Sequence, residues 1–123
     1  MEKAKRFEDL WIWQQARELV QEIYQDFRSG PCSKDYGFRG QIQKAGVSVM
    51  NNIAEGFERH TDSEFARFLD IAKGSCGEVR SIYYTAEDLG YVKAATAILR
   101  RSRAKQTSAG IASLALHLRK PKK

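Results

Sequence analysis

The chain has 123 residues, a formal net charge of +6, 42% hydrophobic and 29% charged residues. That composition supports one packed domain and excludes an intrinsically disordered polymer. No apolar run approaches the roughly 20 residues that span a bilayer, and the start, MEKAKRFEDLW, lacks the apolar segment and cleavage site of a secretory leader. A cytoplasmic protein without a membrane partner is therefore expected.

The charge is unevenly placed. Residues 1–88 hold all 15 acidic residues and 12 of the 21 basic ones, a net of −3. Residues 89–123 hold the other nine basic residues and no acid, a net of +9. Such asymmetry points to a partner of negative charge at the C-terminal end. Cys32 and Cys76 have no metal-binding spacing and are expected to stay reduced.

Four helices are predicted in chain order. The first covers about residues 8–28, where Trp13, Ala16, Val20, Ile23 and Phe27 recur at spacings of three and four. Gly30 and Pro31 stop it. The second runs from about 35 to 57 on the stripe Phe38, Ile42, Ala45, Val49 and Asn52, so a polar side chain occupies an apolar position. Thr61 and Glu64 have the spacing of a capping box and open the third. Its stripe is Phe65, Phe68, Ala72, Ser75, Val79, Ile82, Ala86 and Leu89, with Leu69, Cys76 and Tyr83 beside it and Gly90 as its stop. The fourth, about 93–118, has only a thin stripe of Ala97, Ala104, Ile111, Leu114 and Leu118, interrupted by Gly110. Short connections make consecutive helices antiparallel neighbours. The expected fold is all-α, an up-down-up-down antiparallel four-helix bundle over residues 1–118, with a basic disordered tail at 119–123.

The stretch Asn-Asn-Ile-Ala-Glu-Gly, residues 51–56, is the most unusual part of the second helix. Asn and Ser compete for backbone hydrogen bonds and disfavour helix interiors. Matching levels across the predicted turns puts Asn52 beside Phe68 and Ile12, Ser48 beside Ala72, Gly46 beside Gly74, and Glu55 beside Asp9. Ser48, Asn52, Glu55 and Ser75 are thus expected to form a structural polar layer. In it Asn52 and Glu55 would accept hydrogen bonds from the start of the first helix or from the indoles of Trp11 and Trp13.

The segments FEDLWIWQQARELVQEIY (7–24), YGFRGQIQKAGVSVMNNIAEGFER (36–59) and EFARFLDIAKGSCGEVRS (64–81) resemble a known family. It comprises the small four-helix-bundle proteins encoded within intervening sequences of bacterial large-subunit (23S) ribosomal RNA genes, and their stand-alone relatives. The resemblance covers about three quarters of the chain, and SVMNNIAEGFER followed by FARFLDIAKGS is its most specific part. It implies a ring-shaped homo-oligomer, usually a pentamer, with no established catalytic activity. It also implies a distant relation to accessory proteins of the reverse transcriptases of diversity-generating retroelements. Gly46 and Lys44 stand where the family favours Ala and Arg, and the resemblance weakens after Tyr91.

No residue pattern suggests catalysis. Glu55 has no acid–base partner at a useful spacing, His60 and His117 are isolated, and no metal, cofactor or small-molecule motif is present. The expected function is a non-enzymatic homo-oligomer that binds RNA or DNA through Arg100, Arg101, Arg103, Lys105, Arg119 and Lys120. Their spread over more than one helix face suits backbone contact better than base reading. Two alternatives stand beside it: a scaffold that docks an enzyme such as a reverse transcriptase, and a structural intervening-sequence protein with no dedicated ligand. Most aromatic residues fall on core stripes, whereas Trp11 and Tyr84 fall outside them and are candidates for a subunit interface.

Overall fold

The computed structural model describes residues 4–121. Four helices carry the fold: α1 (Trp11–Phe27), α2 (Tyr36–Phe57), α3 (Asp62–Asp88) and α4 (Ala94–Leu118), preceded by one 3-10 turn, Phe7–Asp9. Each helix packs on its chain neighbours and α1 closes the bundle against α4, so α1 and α3 lie on one diagonal and α2 and α4 on the other. This is the antiparallel up-down-up-down bundle.

The helix ends follow local chemistry. Gly30 and Gly90 take φ of 87° and 73°, a left-handed conformation that costs glycine nothing. Thr61 Oγ1 accepts from the Glu64 N–H at 3.1 Å, and Asp35 Oδ1 accepts from the Phe38 N–H at 3.2 Å. The first helix starts later than its periodicity suggests. Leu10 is extended at φ −74° and ψ 128°, which separates the 3-10 turn from α1. Gln14 Nε2 donates back to the Glu8 carbonyl at 3.0 Å and fastens the turn.

Two apolar layers fill the bundle. One gathers Ile12, Trp13, Ala16, Val49, Ile53, Leu69, Ala72, Cys76, Ile111 and Ala115. The other holds Leu19, Ile23, Phe27, Cys32, Ile42, Ala45, Val79, Tyr83, Ala86 and Ala104. The two cysteines are buried in different layers. Burial pushes the Cys76 thiol up to about 12, so it stays protonated. On α3 the residues beside the predicted stripe are as deeply buried as the stripe itself: Leu69, Cys76 and Tyr83 are fully enclosed, whereas Leu89 is exposed.

The register of α2 against α3 differs from simple level-matching. Ser48 meets Ser75 rather than Ala72. In an α-helix each side chain leans toward its own N-terminus, and in antiparallel helices those directions are opposed. Partners are therefore displaced by about one turn from residues whose Cα atoms are level. Gly46 and Gly74 do not face each other. A Cβ on Gly46 would lie 2.6 Å from Ile23 Cδ1 of α1, while one on Gly74 would meet nothing within 4 Å. Close approach of α2 to α3 occurs instead at Gly56, where a Cβ would lie 2.7 Å from Phe68 Cβ and 3.3 Å from the Phe65 carbonyl oxygen.

That contact gives a prediction. Gly56→Ala should lower stability in urea titrations by about 1–3 kcal/mol through overpacking. Gly40→Ala, where a Cβ meets nothing within 4 Å, should raise it by about 0.5–1 kcal/mol through helix propensity.

Asp35 also ties the start of α2 to the loop before α4, because Tyr91 Oη donates to its Oδ2 at 2.6 Å. The tyrosine hydroxyl first, and the Phe38 N–H second, hold its carboxyl below the ordinary 3.8. A depressed folded-state value stabilises the fold above the unfolded-state value, and that stabilisation is lost as pH falls through the folded-state value. Asp35→Asn should therefore flatten the fall in melting temperature below about pH 4.

Candidate functional site

The basic residues of α4 occupy its flanks. Glu22 and Asp26 stand one turn apart on α1, with Gln15 two turns before Glu22 on the same face. Opposite them α4 presents Arg100 and Arg103. Arg100 grips Asp26 with two hydrogen bonds, Nε to Oδ2 at 2.8 Å and Nη2 to Oδ1 at 2.9 Å, and reaches Glu22 Oε2 at 3.1 Å. Arg103 Nε donates to Glu22 Oε1 at 2.8 Å, and its Nη1 donates to Gln15 Oε1. Two guanidinium groups thus face two carboxylates.

Tyr83 joins this seam from the diagonal helix, donating from Oη to Asp26 Oδ2 at 2.8 Å. Burial, and then the Asp26 charge, raise its ionisation above the ordinary tyrosine value, so the phenol keeps the proton it donates. The Asp26 hydrogen bonds raise Arg100 above the ordinary arginine value. Only 18% of the Arg100 side chain and 8% of the Asp26 side chain are exposed.

The other flank of α4 is tied to α3. Arg101 donates to Glu87 Oε1 at 2.9 Å and lies 3.9 Å from the centre of the Tyr84 ring. Arg119 clasps Asp70 through Nη1 to Oδ1 at 3.0 Å and Nη2 to Oδ2 at 2.6 Å. This places Arg119 at the C-cap of α4 rather than in a disordered tail. Lys122 and Lys123 lie outside the described residues.

Of the six cations that the sequence assigns to nucleic acid, Arg100, Arg101, Arg103 and Arg119 are each held by a carboxylate. Lys105 and Lys120 are exposed and form no ion pair among the described residues. The sequence does contain a signal for the pairing. Gln15, Glu22 and Asp26 share one helix face, and Arg100 and Arg103 share another. The charge count by segments conceals this because it adds up residues without asking which faces meet.

The polar layer is assembled differently from the expectation. Ser48 Oγ and Ser75 Oγ are 2.9 Å apart, joining α2 to α3. Asn52 Nδ2 donates to the Ser48 carbonyl at 2.8 Å and to Ser48 Oγ at 3.0 Å. Asn52 is thus a donor within its own helix and not an acceptor for α1. Glu55 stands outside the layer. Three residues beyond Asn52 it has turned toward solvent, where it pairs with Arg59 at 3.2 Å. The indoles have other roles. Trp13 packs on Phe7 with centroids 5.2 Å apart. Trp11 lies over Gly110, where a Cβ would come within 2.9 Å of the ring. That contact explains a glycine in the middle of α4.

A shallow groove of about 320 Å³ borders the polar layer, lined by Gln41, Lys44, Ala45, Ser48 and Glu78. Among the described residues no group of three or more His, Cys, Asp or Glu side chains could hold a metal ion, and no helix is long and apolar enough to cross a membrane.

The family described as 23S rRNA-intervening sequence protein matches residues 8–113, from within the 3-10 turn through most of α4. The chain belongs to this family. No curated protein matches it. The match extends well past Tyr91, where the resemblance by motif weakens. The arginine-bearing part of α4 thus falls within the family region.

Breaking the seam should be costly for folding. Asp26→Ala leaves Arg100 half-enclosed without its main partner and should lower stability by about 2–4 kcal/mol in urea titrations. Glu55→Ala, at an exposed pair, should change stability by less than about 0.5 kcal/mol.

Proposed function

We propose that this 23S rRNA-intervening sequence protein is a non-enzymatic building block that associates with copies of itself through the outward face of α4. One observation carries the reading: the arginines of α4 are turned sideways into ion pairs, and the face left to solvent is apolar and small. Ile98, Leu99 and Leu116 are 58%, 64% and 66% exposed. Ala95, Ser102, Ala109 and Ser113 are exposed between them. Lys105, Gln106, His117 and Lys120 are exposed beside them, and α4 contains no acid.

A face this rich in apolar and small residues suits burial against another protein surface, and in a closed ring it would meet a different patch of the next copy rather than itself. Exposed apolar side chains clustered on one helix mark interaction surfaces. The family resemblance supports the same reading, since it implies a closed ring of five copies.

RNA or DNA contact through Arg100, Arg101, Arg103 and Arg119 is disfavoured by the geometry. Each would have to release a carboxylate before holding a phosphate, and the two charges nearly cancel at a distance. Docking of a separate enzyme is the competing use of the same apolar face, and the wild-type oligomeric state separates the two. Light scattering coupled to size exclusion at micromolar concentration should give a multiple of the 14.0 kDa chain. Leu99→Glu and Ile98→Glu should each shift the population to monomer without altering helicity. A wild-type protein that stays monomeric overturns the proposal.

A further inference from the structure

The flank between α3 and α4 differs from the seam on the other side. Its register is fixed by the Arg101–Glu87 pair at one end and the Arg119–Asp70 pair at the other. Between these ties α3 presents Lys73, Gly77, Arg80 and Tyr84 at spacings of four, three and four, which is a single helix face. On α4, Lys105, Ser108 and Ala112 share a helix face with Arg101 and Arg119. On this flank Asp70 and Glu87 are each paired with an arginine, Asp70 also feels the Lys73 charge, and Asp88 stands one turn beyond Tyr84. Glu78 faces the other way and lines the groove beside Gln41 and Lys44 of α2.

Lys73, Arg80 and Lys105 form no ion pair among the described residues. Lys73 and Arg80 both act electrostatically on Cys76, so their charges bear on the same stretch of α3. Arg80 is half-buried, and its Nε is enclosed without an acceptor. The Nε of Arg39 is enclosed in the same way, so this burial is not by itself the mark of a ligand. Gly77 between the two cations leaves open space, since a Cβ there would meet nothing within 4 Å. At one end Tyr84 is 56% exposed, with Arg101 on its ring.

We propose that this flank is a phosphodiester-binding surface for single-stranded nucleic acid, in which Lys73, Arg80 and Lys105 hold phosphates and Tyr84 stacks an unpaired base. The chemistry favours this polyanion over an acidic peptide or a membrane. Backbone phosphates offer acceptors to a row of cations, and an exposed ring beside the row adds the base contact that single strands provide. From Lys73 to Tyr84 the row runs about 16 Å along α3, the span of a few nucleotides. It uses different residues from the four paired arginines and shares Lys105 with the outward face of α4, whereas Lys73, Arg80 and Tyr84 belong to α3.

The test is fluorescence anisotropy on the full chain with a mixed-sequence 20-nucleotide RNA, the corresponding single-stranded DNA, the DNA duplex and polyglutamate, each at low and moderate salt. The wild type should bind the single strands more tightly than the duplex and should not bind polyglutamate. Three phosphate contacts predict a log–log salt slope of about −2. Lys73→Gln/Lys105→Gln, both at exposed positions, should weaken binding about tenfold or more and make the slope shallower. Arg80→Gln should act in the same direction. Tyr84→Ala should weaken the single strands at least fivefold while leaving the duplex unchanged. Absence of single-strand binding at low salt overturns the proposal. So does affinity that survives the double lysine substitution in a variant with wild-type melting, or binding of polyglutamate or duplex as tight as that of single strands.

Discussion

The docking of α4 depends on the carboxylates that flank it, and above all on Asp26. The residues that α4 buries are Ala97, Ala104, Thr107, Ile111 and Ala115, four of the five small or polar. Small side chains permit close approach but remove little apolar area from water, so the hydrophobic contribution of this helix is modest. Orientation is supplied from the sides. Asp26 and Glu22 hold Arg100 and Arg103 on one flank, and Glu87 and Asp70 hold Arg101 and Arg119 on the other. Asp26 matters most because it is nearly enclosed and serves three helices: it belongs to α1, takes Tyr83 from α3 and Arg100 from α4.

The surface follows from that arrangement. A helix whose long cations are drawn sideways cannot also present them outward, and its solvent face is left to Ile98, Leu99, Leu116 and small residues. The proposed self-association and the paired arginines are thus two consequences of one geometry. On α3 the same reasoning isolates Lys73 and Arg80. Asp70 and Glu87 are paired with arginines of α4, and Lys73 and Arg80 form no ion pair among the described residues. The arginines of α4 are thus neutralised by carboxylates, whereas Lys73, Arg80, Lys105 and Lys120 form no ion pair among the described residues.

Asn-Asn-Ile-Ala-Glu-Gly serves the fold through three of its residues in different ways. Asn52 braces Ser48 so that its hydroxyl meets Ser75, Ile53 fills the core, and Gly56 lets Phe65 and Phe68 approach the α2 backbone. The polar residues of this stretch fix α2 against α3 without forming a reactive centre. Because Ser48 and Ser75 partner each other, their partial burial leaves no unsatisfied hydroxyl at the helix contact.

Periodicity, capping residues and glycine stops determined the four helices and their order, because those signals are local and depend only on the spacing along one chain segment. The family resemblance rests instead on whole motifs in the first three helices, densest in α2 and α3. Three features were decided only in the tertiary structure. The Ser48–Ser75 contact depends on how side chains lean between antiparallel helices, which shifts partners by about a turn from their Cα levels. The start of α1 at Trp11 depends on the extended Leu10 and the Gln14 clasp, neither of which has a period. Which cations are free depends on which helix faces meet: Arg100 and Lys105 look alike in a charge count, but one turns toward Asp26 and the other toward water. Electrostatic character belongs to pairs of residues distant in sequence, so it was settled by packing and not by composition.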